Sequence, residues 1–440
     1  MHIIIIGAGP GGYETALEAA ANGVQVTIIS DGPVGGTCLN EGCIPTKALC
    51  HYTELYDEFK RTSDVFGEAP AFDFEAVRRR KQATVEQLRS GVEGLLGHKL
   101  IRLVYGHAAL AGGLKVRVGE ETIEGDAIIL ATGSVPATLP VEGAGLPGIL
   151  GSKEILDIER IPERLCVIGG GVIGLEFASI FRSFGSEVTV LEYCRDILPR
   201  FDQDLSRRLK QSLSRRGISI ETSACVTGIA PGWKVSYTKK DETFTVEADK
   251  VLMAVGRRPA LGSLNLEEAG IEFTPRGVKV DGNMQTNIPG IYAVGDLTGG
   301  MMLAHAATFQ GRRALNHILG KQDSIDFNVV PAAVFTSPQA ATVGLSEEEC
   351  KEKGIAVKCL KSFYRANGKA VSMDATDGYC KIVTEAGTGR ILGCHILGAQ
   401  ASELVQQMSD AIVRGAAAGE LKDVIHAHPT LSELIQSALS

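Results

Sequence analysis

The sequence predicts an α/β protein in which two dinucleotide-binding domains are followed by an α+β domain. Three observations carry this. An apolar strand at the N-terminus runs straight into a glycine loop and a helix. The same strand–loop–helix–strand unit recurs from Leu165. Beyond about Asn328 the texture changes to short strands mixed with helices. At 440 residues the chain is too long for one ordinary core, so roughly three domains are expected. A count of 52 glycines with only 5% aromatics suits many tight strand-to-helix turns.

Ile3–Ile6 reads as a buried strand entering Gly7-Ala8-Gly9-Pro10-Gly11-Gly12, followed by a helix over Tyr13–Asn22 and a strand over Val24–Ile29. Glycines at the first, third and sixth loop positions mark a Rossmann-like unit. Gly7 permits the turn, Gly9 lets backbone approach a pyrophosphate, and Gly12 lets helix pack on strand. The acidic residue expected to bind a ribose hydroxyl at the end of the second strand is replaced by Ser30, with Asp31 next. Asp31 takes that role after a small shift of the turn, or the adenosine end is held differently.

Next comes Gly35-Gly36-Thr37-Cys38-Leu39-Asn40-Glu41-Gly42-Cys43-Ile44-Pro45-Thr46-Lys47. Two cysteines just before a helix suit reversible disulfide chemistry, because free N–H groups at a helix start stabilise a thiolate. Two packed free thiols, or half of a zinc site, are the plainer alternatives. Zinc needs four ligands, and no second close Cys or His pair stands nearby.

Helices are expected over about 46–61 and 74–96, with Val77, Val85, Leu88, Val92 and Leu95 in helical spacing and Arg78–Lys81 as a solvated face. Strands follow near 101–105, 115–118 and 127–130. The last enters Ala131-Thr132-Gly133-Ser134, a small-residue turn suited to close passage of a cofactor. The second repeat is Leu165–Ile168, Gly169-Gly170-Gly171-Val172-Ile173-Gly174, a helix through Phe184, and a strand ending at Glu192. Glu192 lies as far past Gly169 as Ser30 past Gly7, 23 positions in each case. Gly169, Gly171 and Gly174 repeat the glycine roles, and Glu192 can accept from a free 2′-OH and repel a 2′-phosphate, favouring NAD over NADP. Its plain alternative is an exposed strand-end carboxylate.

Further strands are expected at 251–255, leading to Gly256-Arg257-Arg258-Pro259, and at 291–294, ending on Gly295-Asp296. Asp296 can accept from a polyol chain or cap a helix. The last region reads as strands at 332–335, 379–383 and 391–397 with helices near 346–353 and 402–418. The chain closes on His426-Ala427-His428-Pro429-Thr430-Leu431-Ser432-Glu433 and a short helical tail. A histidine with a carboxylate five residues on is either structural or an oriented general base.

A net charge of −8 with interspersed signs argues against nucleic acid as main partner. No apolar run approaches the ~20 residues that span a bilayer, and no leader precedes the first strand, so a cytoplasmic protein without a membrane partner is expected. Ten scattered cysteines fit a reducing compartment.

Together these segments resemble the flavin-dependent pyridine-nucleotide disulfide oxidoreductases along essentially the whole chain: GxGPGGY, GGTCLNEGCIPTKAL, ATGS, GGGVIGLE, VGRRP, IYAVGD, Met302–Ala306 and ILGCHILG. The ending HAHPTLSE resembles the lipoamide branch more than the glutathione branch, and the absence of cysteine after Cys394 argues against a mercuric reductase. The resemblance implies FAD on the first repeat, NAD on the second, and a homodimer built by the last domain. It implies residues 1–146 and 259–326 as the two parts of the FAD domain, 147–258 as the NAD domain and 327–440 as the dimerisation domain. It makes Cys38 the interchange thiol, Cys43 the thiolate against the flavin, Lys47 and Glu176 a pair beside the flavin, and His428 a base oriented by Glu433 that reaches the partner's disulfide. Asp296 matches the ribityl ligand, and Thr37, Thr132, Gly133, Gly256 and Ala304 fall in cofactor-binding motifs. The implied reaction oxidises dihydrolipoamide, free or on a lipoyl-carrying protein, and reduces NAD. A reductase of another low-molecular-weight or protein disulfide, and a non-catalytic binding protein keeping the fold, are the alternatives. Ser30, the weakly charged Ala306–Gln310 and Thr336-Ser337-Pro338-Gln339 depart from the family pattern.

Overall fold

The computed structural model describes residues 1–68, 71–262 and 264–440. The chain forms two compact units, one of residues 1–48, 75–137 and 256–325, the other of 49–74, 138–255 and 326–440.

In the first unit a five-stranded parallel sheet has the order Ile291–Ala293, Ala127–Leu130, His2–Ile6, Gln25–Ser30, Ile101–Tyr105. Its central strands are β-branched and almost fully buried, as befits a parallel sheet covered on both faces. The crossover helix Pro10–Ala21 has proline at its start, where no intrahelical N–H bond is lost, and an alanine-rich body. A small antiparallel sheet, Ala108–Leu110, Lys115–Val118 and Glu121–Glu124, packs Val116 and Ile123 into the same core as Ile4, Ile128 and Leu297.

The second unit holds the other parallel sheet, in the order Ile218–Thr222, Glu187–Glu192, Arg164–Ile168, Lys250–Met253, Ile149–Leu150. The repeat extends to backbone detail. Gly7 and Gly169 have φ of +110° and +112°, and a Cβ on either would collide with the carbonyl oxygen of Ala131 or Ala254 respectively. The unit ends in a five-stranded antiparallel sheet, ordered Ala332–Val334, Ala340–Gly344, Ile391–Leu397, Tyr379–Glu385, Val357–Phe363, with helices Ala401–Val413 and Glu433–Leu439 in its core. These sheets and helices make up the expected α/β plus α+β architecture.

Several boundaries differ from the sequence reading. The helix expected from about 46 begins at Cys43, because Pro45 sits in its first turn, where a missing N–H costs nothing. The helix expected over 402–418 stops at Val413; Gly415, at φ +67°, turns the chain into a separate helix, Ala418–Lys422. The helix Gln203–Arg215, the hairpin sheet over Cys225–Glu247 and the strand Val357–Phe363 had not been expected.

Candidate active site

Each glycine loop ends at a helix N-terminus with no side-chain cap: Gly9 for Pro10–Ala21 and Gly171 for Val172–Phe184. A Cβ on Gly9 would meet only the Gly36 Cα, at 3.9 Å, and one on Gly171 nothing within 4 Å. Both loops therefore present bare backbone and a positive helix end, the arrangement that accepts a pyrophosphate. Gly12 and Gly174 pack against the carbonyls of Gly7 and Gly169, drawing helix onto strand.

The cysteine stretch is pinned to the first loop. Gly35 N–H donates to Ala8 O at 2.8 Å, and a Cβ on Gly36 would lie 2.6 Å from the Gly9 Cα. Asn40 Nδ2 donates to the carbonyls of Val34 and Gly36, at 2.9 and 3.0 Å, and Arg89 Nε donates to Asn40 Oδ1 at 2.9 Å. Thr37 and Cys38 lie on the short helix Gly36–Glu41; Gly42 breaks it, and Cys43 opens the helix Cys43–Arg61. Lys47 follows Cys43 by one helical turn. Neither cysteine is in a disulfide here, and both are half-buried. The Cys43 sulfur accepts a hydrogen bond from Cys38 and, with burial, pushes the Cys38 thiol well above the ordinary range, while Lys47 pulls the other way. Among the described residues no group of three or more His, Cys, Asp or Glu could hold a metal ion.

Gly133, at φ +69°, turns the chain after Ala127–Leu130, and Thr132 Oγ1 donates to Ala260 O at 3.2 Å. Asp296, 23% exposed, accepts from Ser134 Oγ at 2.5 Å through Oδ2. Ser134 in turn accepts from Arg257 Nε at 2.7 Å. Gly295 N–H donates to the buried Gln310 Oε1 at 2.7 Å, and Gln310 belongs to the helix that Ala304 opens. Ser134, Arg257 and Gln310 were not singled out from the sequence; the only available signal was their place in ATGS, VGRRP and the departing Ala306–Gln310 segment.

At the adenosine ends the repeats part. Glu192 is buried, with Oε2 accepting from Gly170 N–H at 2.5 Å and Oε1 from Cys194 N–H at 2.6 Å. Its own loop thus orients the carboxylate at the strand end. Gly256, at φ +113°, accepts from Ala137 N–H at 2.9 Å. In the first repeat Ser30 is buried and donates to Gly32 O at 2.8 Å, while Asp31, 70% exposed, stands 3.7 Å from His107.

In the second unit Glu176 is 3% exposed and accepts from Phe335 N–H at 2.9 Å. His428 Nδ1 lies 2.9 Å from Glu433 Oε1, and Thr430 N–H donates to Glu433 Oε2 at 2.8 Å. Those two contacts, Thr430 first, hold the Glu433 carboxyl below its usual range. A carboxylate on Nδ1 puts the ring proton there and leaves Nε2 as the acceptor of a proton. The His428 side chain is 79% exposed, and Val424 and Ile425 just before it are 47% and 94% exposed.

Residues 1–311 match the family described as pyridine nucleotide-disulphide oxidoreductase, and residues 330–439 match its dimerisation domain. The chain belongs to the pyridine nucleotide-disulphide oxidoreductases. A dihydrolipoyl dehydrogenase of Staphylococcus aureus is 40% identical over 99% of this chain and 95% of its own length. One from Bacillus subtilis is 39% identical over 100% and 98%. Among solved structures, LpdA from Mycobacterium tuberculosis superposes with a TM-score of 0.92 at 29% identity, covering 100% of this chain and 99% of that one. The HOCl-induced flavoprotein disulfide reductase RclA from Escherichia coli gives 0.89 at 30%, with the same coverage. As a pyridine nucleotide-disulphide oxidoreductase with this last domain, the protein is an enzyme that assembles as a homodimer. FAD and NAD are the cofactors of the family, and the two uncapped glycine loops, Asp296 and Glu192 fit them. Among the described residues no helix is long and apolar enough to cross a membrane.

Proposed function

We propose that the protein is an NAD-linked, FAD-dependent dihydrolipoyl dehydrogenase acting in the cytoplasm on dihydrolipoamide, free or carried on a lipoyl-bearing protein. The observation that carries this reading is near-full-length identity of about 40% to dihydrolipoyl dehydrogenases, with an oriented His428–Glu433 pair in place. In this reading residues 1–146 and 259–326 hold FAD, 147–258 hold NAD, and 327–440 form the dimer. Gly7, Gly9, Gly12, Thr37, Thr132, Gly133, Asp296 and Ala304 hold FAD, with Asp31 assigned to its adenosine end. Gly169, Gly171, Gly174, Glu192 and Gly256 hold NAD, and Lys47 and Glu176 act beside the flavin.

His428 Nε2 takes a proton from one substrate thiol, and the resulting thiolate attacks Cys38 of the Cys38–Cys43 disulfide. That bond breaks, a mixed disulfide forms on Cys38, and Cys43 leaves as thiolate. The second substrate sulfur then expels Cys38 and closes the oxidised ring. Cys38 takes the proton from His428, which receives the one given up by the second thiol and later releases it to water. The hydrogen bond that keeps Cys38 protonated beside the Cys43 sulfur matches this end state. FAD, when bound, carries the electron pair from sulfur to nicotinamide. Glu433 stabilises the imidazolium, and we assign His428 to the disulfide of the partner subunit.

The test is steady-state turnover with dihydrolipoamide and NAD against glutathione disulfide and NADPH. A preference for the first pair by at least about 100-fold in kcat/KM is expected. A preference for glutathione disulfide would overturn the substrate assignment.

A further inference from the structure

We infer that Arg257 and Ser134 are positioning residues that fix which oxygen of Asp296 is offered to a polyol hydroxyl of the cofactor. The inference rests on the FAD reading above and concerns two residues that reading leaves without a role.

Arg257 lies on the strand Arg257–Pro259, antiparallel to Ser134–Pro136. Its side chain is only 15% exposed. Nε donates to Ser134 Oγ and an Nη donates to Ser134 O, both at 2.7 Å. A guanidinium can only donate. The Ser134 hydroxyl must therefore accept from it, which leaves its single proton to point elsewhere. That proton goes to Asp296 Oδ2 at 2.5 Å. The Arg257 Nε is itself 4.0 Å from the same oxygen, so the carboxylate's charge is balanced on that side. Among the described residues no hydrogen bond is made to Asp296 Oδ1, which remains the acceptor for an incoming hydroxyl. From the other side, the bond from Gly295 N–H to Gln310 Oε1 holds the backbone.

The relay is directional. Without Arg257 the serine rotor is free to donate to other acceptors, and a half-buried carboxylate loses its counter-charge. Lysine cannot replace the fork, since one point donor does not grip both oxygens of Ser134. A neutral polyol gains most from an acceptor already aimed and charge-balanced, because nothing need reorganise on binding.

The experiment uses purified holoenzyme and measures two properties of the bound flavin: its dissociation constant, by FAD titration of the stripped protein, and its visible circular dichroism. Ser134→Ala and Arg257→Met are expected to weaken FAD binding by about 10- to 100-fold, the range for losing a hydrogen bond to a charged group, and to shift the flavin dichroism. Ser134→Thr, which keeps the hydroxyl, should stay within about threefold of wild type. Arg257→Met placed on Asp296→Asn should add little to that variant's own loss, since Arg257 acts through the carboxylate. Wild-type affinity and dichroism in Ser134→Ala, or full additivity of Arg257→Met with Asp296→Asn, would overturn the inference. Should Arg257→Met fail to fold, Ser134→Ala against Ser134→Thr decides alone. A wild-type protein that neither carries nor takes up FAD would instead overturn the cofactor assignment itself.

Discussion

Replacing Glu433 by glutamine changes one oxygen to an amide nitrogen and little else, yet it should disable His428. The carboxylate serves two donors, Thr430 N–H at 2.8 Å and the Nδ1 of His428 at 2.9 Å. A carboxamide has one oxygen for these two contacts. With that oxygen on Thr430, the amide NH2 faces Nδ1, which must then accept; the ring proton moves to Nε2, the atom needed to take a proton from substrate. Flipping the amide restores the tautomer but sets NH2 against the Thr430 N–H. Orphaning that donor biases the equilibrium against the useful arrangement by about 10- to 100-fold. The imidazolium also loses its carboxylate, and loss of a positioned general base as a whole costs about 10²- to 10⁴-fold. We expect kcat with dihydrolipoamide to fall within that range while flavin content and secondary structure stay unchanged. Stopped-flow reduction of the flavin by NADH, which needs no base at this position, should proceed at the wild-type rate. A Glu433→Gln enzyme within threefold of wild-type kcat, at unchanged pH optimum, would falsify the role given to the pair.

Three further outcomes are expected. Glu192→Gln should raise the KM for NAD and reduce the preference for NAD over NADP by about 10-fold or more, because a carboxylate fixed by Gly170 and Cys194 no longer opposes a 2′-phosphate; an unchanged kcat/KM ratio would place Glu192 outside the ribose site. In the flavin-loaded enzyme Cys38→Ser should keep a long-wavelength thiolate–flavin absorption band and Cys43→Ser should lose it, and identical spectra would refute the division of labour. Buried His395 is held below its usual pKa chiefly by burial, despite the attraction of Asp202, so the unfolded chain binds a proton the folded one does not, and stability should decline as pH falls below about 6.5; a denaturation midpoint independent of pH between about 7 and 5 would show that the imidazole is not excluded from water.

What was legible in the sequence was local. The glycine loops, the cysteine stretch and the His428–Glu433 spacing each lie within a few residues, and their local geometry follows from separations countable along the chain. The relay from Arg257 through Ser134 to Asp296 was not visible, because its members lie 123 and 162 positions apart. Nor was the buried pairing of Lys381 Nζ with Asp202 Oδ2 at 2.8 Å, in which Lys381 and Asp202 are 1% and 0% exposed. Asp202 gives its other oxygen to Leu205 N–H, capping the helix Gln203–Arg215. Glu192 was placed correctly at its strand end, but its grip on two backbone N–H groups came only from three dimensions. The strand Val357–Phe363 escaped notice because lysines at 358 and 361 interrupt its apolar pattern, and the helix over 402–418 was read too long because alanines near Gly415 mask the turn.

Ile425 stands 94% exposed three residues before His428. Burying such a side chain contributes about 1.5–3 kcal/mol, so a solitary protomer exposes an adhesive apolar side chain three residues before its histidine. If the same face that hides Ile425 also brings His428 to a neighbour's sulfur, association and competence share one mass-action law. Specific activity should then fall on dilution in step with the weight-average mass, and turnover becomes a direct gauge of assembly. On that assignment of His428, a protomer separated from its partner would be sticky and silent together, and would regain turnover only on pairing.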